Sequence, residues 1–586
     1  MAEDGNIMKN TIDYMLDVIR KIHSHDRWYN FSEGKKTIAL VENLMREAGM
    51  EQVETLYFPS DGVVRHGGWV MPLCWDAIEG TLELLQLDGS RELICAYTDT
   101  PCSLMLYSHP ADVVTTLALP DDEDVKGRIV LFAEKNLSME MVLDYLERGA
   151  CGFIQSLLGG PQYGKEGFEY LEDVTQWCNY RLPLWDVPQK PFGFSLTPRK
   201  GKRLLEMLKS GASVKVHAKV NSSMLPGTIP FVTGVLPGET DEEVLLTGHL
   251  FEEGANDNAS GVAASLAIVR SLAEKKRKRS IRLAFTNEAR SYQAYLNNVK
   301  DIPRIAAGIN VDMVGCNLDD RGWIQDTDIV FPNFSVVLLE HCLKKQGLSA
   351  GILHHPDNDT GLFEPNFGVP MTLVEFVNDA NYHKSSDTPD KISPEFIART
   401  FTAVREFTDI LVNADVKDTE FLAELIAAYE RDKSHFSGKE SVRFANSRAR
   451  QRFDSVLRLV EKDDQAQAAE ILEKYKGTVG EETLQAGEIP GVLSGFPKRL
   501  YNGLFSFERY IDRKEKYPEI SSLIRGWVAH DWLQHGMMWA DGKRSAGEIL
   551  YLLREAGFDI EVKLFDALLE FMTSEGYICM LAERED

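Results

Sequence analysis

The sequence predicts an α/β protein built around a doubly wound mixed sheet, with a small α/β insertion domain and a mostly helical C-terminal domain. Strands and helices alternate over residues 230–412, the pattern of a sheet covered by helices on both faces. A shorter strand–helix–strand pattern occupies residues 124–154, and the chain becomes helical and charged from about residue 415. The expected parts are a core from residues 1–80 and 225–415, an insertion domain over 81–224 and a C-terminal domain over 416–586.

The N-terminal half begins with two amphipathic helical patterns. They are followed by a β-branched and aromatic segment typical of a strand. Within the insertion, a turn and a buried strand come before a helix and a second, glycine-punctuated strand, which indicates a small parallel sheet. The predicted elements are helices over 11–23, 34–49 and 139–148, and strands over 53–58, 124–134 and 149–154.

The core has the clearest pattern, because apolar strands of seven or eight residues are separated by helices rich in small side chains. We expect strands over 243–250, 280–286, 306–313 and 371–376, and helices over 259–272 and 394–412. In the C-terminal domain the predicted helical segments are 420–430, 448–475, 546–553 and 561–575, with a last strand over 577–581.

Charge and composition exclude several classes of protein. The 586 residues include 64 Lys and Arg against 90 Asp and Glu, a formal net charge of −26. Such a chain has few basic faces with which to bind nucleic acid or an anionic membrane, so neither is an expected partner. Hydrophobic residues make up 44%, which excludes a wholly disordered chain.

Compartment is predicted from the N-terminus and the cysteines. The first residues, MAEDGNIMKN, are acidic where a signal peptide is basic, and no segment approaches the ~20 apolar residues of a membrane span. The eight cysteines are scattered without a C-x-x-C pair, so neither a disulfide framework nor a thiolate zinc site is expected. We therefore expect a cytoplasmic protein.

Polar side chains follow the predicted core strands at their carboxyl ends. His249 ends one strand and Asp257 follows in the next loop, Glu288 comes just after a second strand, and Asp312 ends a third. His383 lies in a later loop, NYHKSSDTPDKIS. Because functional groups gather at the carboxyl ends of strands in such sheets, we expect these five to converge. Imidazole and carboxylate ligands without thiolates suit zinc or another borderline divalent metal.

Each of these residues has a plainer interpretation when taken alone. A histidine at a strand end is more often hydrogen-bonded than metal-bound, and Asp257 or Asn258 is suited to capping the helix that starts at residue 259. His354 and His355 are weaker candidate ligands in a loop. Five such groups at successive strand ends, however, would bury much negative charge without a cation, so the set favours a metal site.

Four segments, in this order, resemble the zinc aminopeptidase family, which includes bacterial leucyl aminopeptidases, glutamate carboxypeptidase II and glutaminyl cyclases. The segments are GHLFEEGANDNASGVAASL, FTNEARSYQAYL, NVDMVG and NYHKSSDTPDKIS. The resemblance implies a zinc-exopeptidase fold. It implies the metal ligands His249, Asp257, Asp312 and His383, Glu288 as general base, and Asp359 as a loop residue that shapes the substrate site.

Two positions depart from the family pattern. The family has two successive glutamates, base then ligand, where this chain has Glu288 and Ala289. It also has an aspartate two residues after the first histidine, where this chain has Phe251. Three ligands remain for one zinc, so we expect one tight site. A second ion would keep only Asp257 and His383, and its binding is left open.

The flanking regions also resemble known modules. DVKGRIVLF followed by ERGACGFI resembles a protease-associated domain, although an unrelated α/β insertion fits as well, and residues 537–581 resemble a winged helix. Residues 526–586 carry 5 Lys and Arg against 12 Asp and Glu, a net charge of −7, whereas a DNA reader needs a basic face. A packing or homo-oligomerisation module is therefore expected.

The resemblance implies a metal-dependent aminopeptidase that acts on short peptides or related amides. Two alternatives stay open at the level of sequence. One is acyl or cyclising transfer at a single zinc, as in glutaminyl cyclase, or hydrolysis of a non-peptide amide. The other is a non-catalytic scaffold that keeps the fold.

Overall fold

The computed structural model describes residues 2–25, 31–177, 187–300, 302–325, 329–353, 359–432, 439–485, 487–524 and 529–585. Its strands are β1 Glu51–Ser60, β2 Arg65–His66, β3 Trp69–Val70, β4 Cys74–Leu85, β5 Arg91–Ala96, β6 Ala111–Ala118, β7 Ile129–Phe132, β8 Gly152–Gln155, β9 Phe192–Ser195, β10 Lys215–Leu225, β11 Gly227–Leu236, β12 Glu243–His249, β13 Ser280–Thr286, β14 Ile305–Val311, β15 Arg321–Gln325, β16 Ser349–Leu353, β17 Met371–Glu375, β18 Phe496–Arg499 and β19 Ile578–Leu581. Its helices are α1 Ala2–His23, α2 Phe31–Glu47, α3 Met139–Glu147, α4 Pro198–Lys209, α5 Ala259–Leu272, α6 Glu288–Asn298, α7 Phe334–Lys345, α8 Pro394–Asn413, α9 Thr419–Arg431, α10 Val442–Ser455, α11 Gln465–Lys476, α12 Asp531–Met538, α13 Ala546–Glu555 and α14 Val562–Ser574.

The core is an eight-stranded mixed sheet in the order β1-β11-β13-β12-β14-β17-β15-β16. Strands β13, β12, β14 and β17 run parallel, and β1, β11 and the β15–β16 pair join them in antiparallel fashion. The parallel strands therefore bring their carboxyl ends to one edge of the sheet. The predicted doubly wound mixed sheet is confirmed.

Side chains of the central strands alternate between two apolar layers. In β12, Val244 and Leu246 pack with residues of α1, α5 and α8, whereas Leu245 packs on the opposite face with residues of α6 and α12–α14. This alternation follows from the period of two along a strand. The C-terminal domain thus helps to cover one face of the core sheet, so this face depends on it for burial.

The insertion domain has its own seven-stranded sheet, in the order β5-β4-β10-β6-β7-β8-β9. Strands β6 to β9 are parallel, and α3 connects β7 to β8 as the strand–helix–strand pattern predicts. This sheet begins at Cys74 and ends at Leu225, so the domain starts earlier than residue 81. The apolar alternation of β4 extends across the predicted boundary, which explains the difference.

Two predicted helices differ from the structure. Helix α1 begins at Ala2 rather than at residue 11. The segment predicted as helical over 448–475 is two helices, α10 and α11, separated by 3-10 turns. Val456 and Leu459 are buried in the core layer between them, so the chain turns inward where a charged helical pattern continues in the sequence.

The C-terminal part ends in helices α12–α14 and a two-stranded sheet formed by β18 and β19. These are the elements expected of the winged-helix resemblance, and its role in assembly stays a prediction. Among the described residues, no helix has the length and apolar character needed to cross a bilayer. The cysteines of the described segments are free thiols, and Cys178 lies outside those segments.

A buried ion pair fixes α6 to the C-terminal domain. The guanidinium of Arg290 donates to both carboxylate oxygens of Glu508, at 2.8 and 3.0 Å. The side chains are only 1% and 6% exposed. In the next turn of α6, the Gln293 side-chain oxygen accepts from the Leu504 N–H at 3.0 Å. Removing either charge of the pair would take the counter-charge seen here from a buried partner.

We expect Glu508→Gln to lower the free energy of unfolding by up to about 3–5 kcal/mol, because the buried Arg290 guanidinium would lose the charge of Glu508. Urea denaturation followed by far-ultraviolet circular dichroism measures this change. Glu519→Gln, at an exposed position in the same region, is the matched control and should unfold like the wild type. Equal stability of the two variants would contradict the role of the ion pair.

Candidate metal centre

His249 is the last residue of β12, at the edge where the parallel strands end. Its Nε2 lies 3.1 Å from Oδ1 of Asp257, and its Nδ1 lies 3.9 Å from Oδ2 of Asp312. The imidazole side chain is 2% exposed. Pairing of β12 with β13 and β14 brings three strand ends together, so the residues that follow them meet at this histidine.

Asn258, rather than Asp257, caps helix α5. The Asn258 side-chain oxygen accepts from the N–H groups of Gly261 at 3.1 Å and Met313 at 3.2 Å, and its amide donates to the Val311 carbonyl at 3.0 Å. The cap interpretation weighed from the sequence therefore holds for Asn258. One side chain links the start of α5 to the residues on either side of Asp312, and the Asp257 carboxylate is left to face the histidines.

Asp387 holds the loop that carries Asp257. Its two oxygens accept from the N–H groups of Asn256 at 2.8 Å and Asp257 at 3.0 Å. The Asn256 side chain in turn donates to Asp379 at 3.1 Å. Sequence reasoning placed Asp387 near His383 but gave it no such role. Asp387 lies in the segment SSDTPD. It is buried, and it accepts hydrogen bonds from the backbone of a distant loop.

His383 lies opposite His249, with its Nε2 3.2 Å from Oδ2 of Asp257. The imidazole lies against the rings of Tyr382 and Trp177, with centroids 3.7 and 3.9 Å away and ring planes inclined by 33° and 32°. Trp177 belongs to the insertion domain, and its backbone N–H donates to the His383 carbonyl at 2.9 Å. The insertion domain therefore contacts a predicted ligand directly.

Glu252 is a member of the cluster that sequence reasoning missed. Its Oε2 lies 3.4 Å from Nε2 of His249 and 3.8 Å from Nε2 of His383. The side chain is 8% exposed. The only sequence signal was a second acidic residue in the loop FEEGANDNASG, and nothing in that loop's spacing distinguishes Glu252 from Glu253.

Glu288 is the first residue of α6, just after the end of β13. Its φ is +35°, in a region that side-chain-bearing residues rarely adopt; such strain often marks functional positions. Thr286, two residues earlier, pairs with His249, so Glu288 begins its helix at the same edge of the sheet. Its charge contributes to raising the pKa of Glu252 and of Asp312. Ala289, by contrast, is fully buried in the apolar layer on the other side of the sheet.

Asp359 is fully buried, and its Oδ2 accepts from the Thr286 hydroxyl at 3.1 Å. Burial raises the pKa of this carboxyl to about 7. The substrate role expected for Asp359 stays a prediction, and the lack of any exposed surface argues against direct contact with a substrate amine. His354 and His355 lie outside the described residues.

The electrostatics of the cluster are those of an anionic site. Burial raises the pKa of Glu252 and Asp312, and the negative charge of Asp257 adds to both effects. Burial opposes ionisation of Asp257 as well, but hydrogen bonds with His249 and His383 hold its pKa below the ordinary value. For His249, the Asp312 charge and the Asp257 hydrogen bond outweigh burial and raise the pKa.

The residues fit a divalent metal. Two groups each offer ligand atoms within 4.8 Å of one another: His249 with Asp257 and Asp312, and Glu252 with Asp257 and His383. Among the described residues, the buried atoms Nδ1 of His249 and Oδ1 of Asp312 have no hydrogen-bond partner. Nitrogen and carboxylate ligands without sulfur suit zinc in an open site.

A cavity of about 290 Å³, here named the edge cavity, is lined by chain neighbours of the cluster residues. Thr286 and Asn287 immediately precede Glu288, and Phe251 precedes Glu252. Its lining is mainly apolar and includes Ile38, Tyr57, Leu225, Phe251, Thr286 and Asn287. The cavity is large enough for one side chain of a bound molecule.

Comparison with known sequences finds a family similar to the part of the chain that contains the cluster. The sequence model of Peptidase family M28 matches residues 232–408, the segment that contains the whole cluster. A Clostridium acetobutylicum protein, named as a candidate polysaccharide biosynthesis protein with an aminopeptidase-like domain, is 30% identical over 138 residues. That match covers 23% of this chain and spans only 30% of the relative's length.

Solved structures with the same fold cover more of the chain. A candidate peptidase from Clostridium acetobutylicum aligns with a TM-score of 0.52 and 17% identity, over 81% of this chain and 99% of that one. A zinc aminopeptidase from Bacillus subtilis aligns with a TM-score of 0.51 and 16% identity, over 69% of this chain and 95% of that one. These structures share the fold of this chain, and its segment 232–408, which holds the cluster, is similar to Peptidase family M28.

Proposed function

We propose that this protein is a metal-dependent aminopeptidase that removes N-terminal residues from short peptides, with zinc as the metal and Glu288 as the general base. The observation that carries the proposal is the pair of converging groups of potential ligands, with Glu288 two residues beyond Thr286, the strand partner of His249. The family match supports a peptidase, and the ligand chemistry supports zinc.

Glu288 would move one proton in two steps. Its carboxylate accepts a proton from the water that attacks the scissile carbonyl carbon, and the resulting carboxylic acid donates that proton to the departing amine nitrogen as the C–N bond breaks. A divalent cation held by His249, Asp257 and Asp312 would polarise the carbonyl and make the water more acidic. The partly exposed position of Glu288 at the start of α6 suits contact with both water and substrate.

The edge cavity is suited to the side chain of the substrate. It borders Asn287 and Phe251, which are next to the base and to the ligand loop, and its walls are mainly apolar. We propose that it receives an apolar side chain beside the scissile bond. The contact between Trp177 and His383 joins the insertion domain to the same site. This contact supports the proposal that the domain limits the size of the substrate.

We expect Glu288→Gln to lower kcat by about 10²–10⁴-fold, the usual contribution of a general base, while zinc content stays at the wild-type level. Hydrolysis of aminoacyl-anilides and elemental analysis measure the two quantities. Glu274→Gln, at an exposed position beyond α5, is the control.

Activity that persists in Glu288→Gln would refute the role of Glu288 as general base. Absence of both activity and zinc in the wild type would favour the scaffold alternative. Turnover of N-acylated or glutaminyl substrates alone would favour the amide hydrolase or cyclase alternative.

Removing the metal should destabilise the protein, because the buried carboxylate of Asp257 and the partly buried one of Asp312 would lose their counter-charge. Zinc at 100 times its Kd should contribute about 2.7 kcal/mol relative to the metal-free protein. Differential scanning calorimetry after dialysis against a chelator measures the fall in Tm, and added zinc should reverse it. An unchanged Tm would contradict a bound cation.

Thr228→Trp should narrow the edge cavity, since Thr228 is an exposed residue on its lining. We expect KM to rise more for leucyl-anilide than for alanyl-anilide, with metal content unchanged. Leu87→Trp, at an exposed turn of the insertion domain, is the control for a surface tryptophan. Equal effects on both substrates would place the side-chain site elsewhere.

A further inference from the structure

We infer that Glu252 is a metal ligand and that, with Asp257 and His383, it completes a second metal site in place of the carboxylate missing at position 289. This deepens the proposed function, since it rests on the core holding a divalent metal at His249, Asp257 and Asp312. It assigns a role to a residue that neither the sequence pattern nor the resemblance singles out.

The geometry joins Glu252 to the His383 side of the cluster. One ligand atom from each of Glu252, Asp257 and His383 lies within 4.8 Å of the other two. Oε2 of Glu252 is 3.8 Å from Nε2 of His383, and Oδ2 of Asp257 is 3.2 Å from the same nitrogen. One imidazole and two carboxylates are a sufficient set for zinc with an open position.

Asp257 serves both groups through different oxygens. Its Oδ1 faces His249 and its Oδ2 faces His383, at 3.1 and 3.2 Å. The two groups therefore share one carboxylate rather than compete for one place. With Asp312 on the first group and Glu252 on the second, each has its own additional carboxylate.

Position 289 does not supply that carboxylate in this chain. Ala289 is fully buried and belongs to the apolar cluster formed with α6 and the C-terminal helices. That cluster also contains Phe231 and Tyr292, so this position is part of an apolar layer. The ligand function has therefore moved to a different loop rather than to an adjacent position.

The loop that carries Glu252 is held in place before any ligand binds. The Ala255 N–H donates to the Asp387 carbonyl at 3.1 Å, and the carboxylate of Asp387 accepts from the two following N–H groups. A Cβ at Gly254 would meet Oδ2 of Asp387 at 2.0 Å, so the loop passes this side chain without space for another. Glu252 is thus directed at the cluster by a rigid loop.

Metal stoichiometry tests the inference without relying on catalysis. The full-length protein, stripped with a chelator, would be titrated with Zn²⁺ by isothermal calorimetry, and its bound metal measured by elemental analysis. We expect two ions per wild-type chain and one per Glu252→Gln chain, or a second Kd weakened by more than about 100-fold, because even indirect partners of a metal change affinity 10–100-fold. Glu252→Asp should keep two ions with a weaker second site.

Glu253→Gln is the matched control, since it removes a carboxylate from the adjacent position, and it should bind two ions like the wild type. The one ion retained by Glu252→Gln also reports that the first site is folded. One ion in the wild type, or two ions of unchanged affinity in both Glu252 variants, would overturn the inference. So would loss of the second ion in Glu253→Gln alone.

The failures of the two proposals are distinguishable. If the wild type binds a single ion and cleaves aminoacyl-anilides in a Glu288-dependent way, the proposed function stands and the role of Glu252 is refuted. If the wild type binds no divalent metal, both are refuted.

Discussion

The shared carboxylate of Asp257 is the feature on which the rest of the site depends. It lies between two imidazoles that come from distant parts of the chain, and each of its oxygens faces one of them. This position is costly, because the carboxylate is 3% exposed and lies near other acidic groups. It is maintained by Asp387, which binds the backbone on the N-terminal side, and by Asn258, which caps α5 on the other. Backbone hydrogen bonds thus hold together charges that would repel one another in the absence of a cation.

The strand order explains why these residues meet and why the flanking domains matter to them. Parallel β12, β13 and β14 deliver His249, Glu288 and Asp312 to one edge, and the geometry of each position depends on the layers that cover the sheet. The C-terminal domain covers the face behind α6 and holds this helix through Arg290 and Glu508. The helix that presents the proposed base is therefore positioned by a domain far along the chain.

Much of this arrangement could be predicted from the sequence, and the exceptions have physical causes. His249 and Asp312 were accessible because a buried strand has a recognisable pattern and a definite end. Glu252 was not, since a loop's path is set by contacts such as those of Asp387, which join residues more than a hundred positions apart. The break between α10 and α11 could not be predicted for a similar reason. Val456 is buried in a core cluster made of residues from distant parts of the chain.

The contact between Trp177 and His383 makes the insertion domain part of the candidate metal centre. The Trp177 ring lies 3.9 Å from the imidazole, and the Trp177 backbone N–H donates to the His383 carbonyl, so the position of one imidazole depends on a second sheet. A change in how this domain packs would therefore alter two properties at once, the shape of the space beside the cluster and the orientation of a candidate ligand. Selection on the shape of the site and selection on the position of this imidazole would act through the same domain.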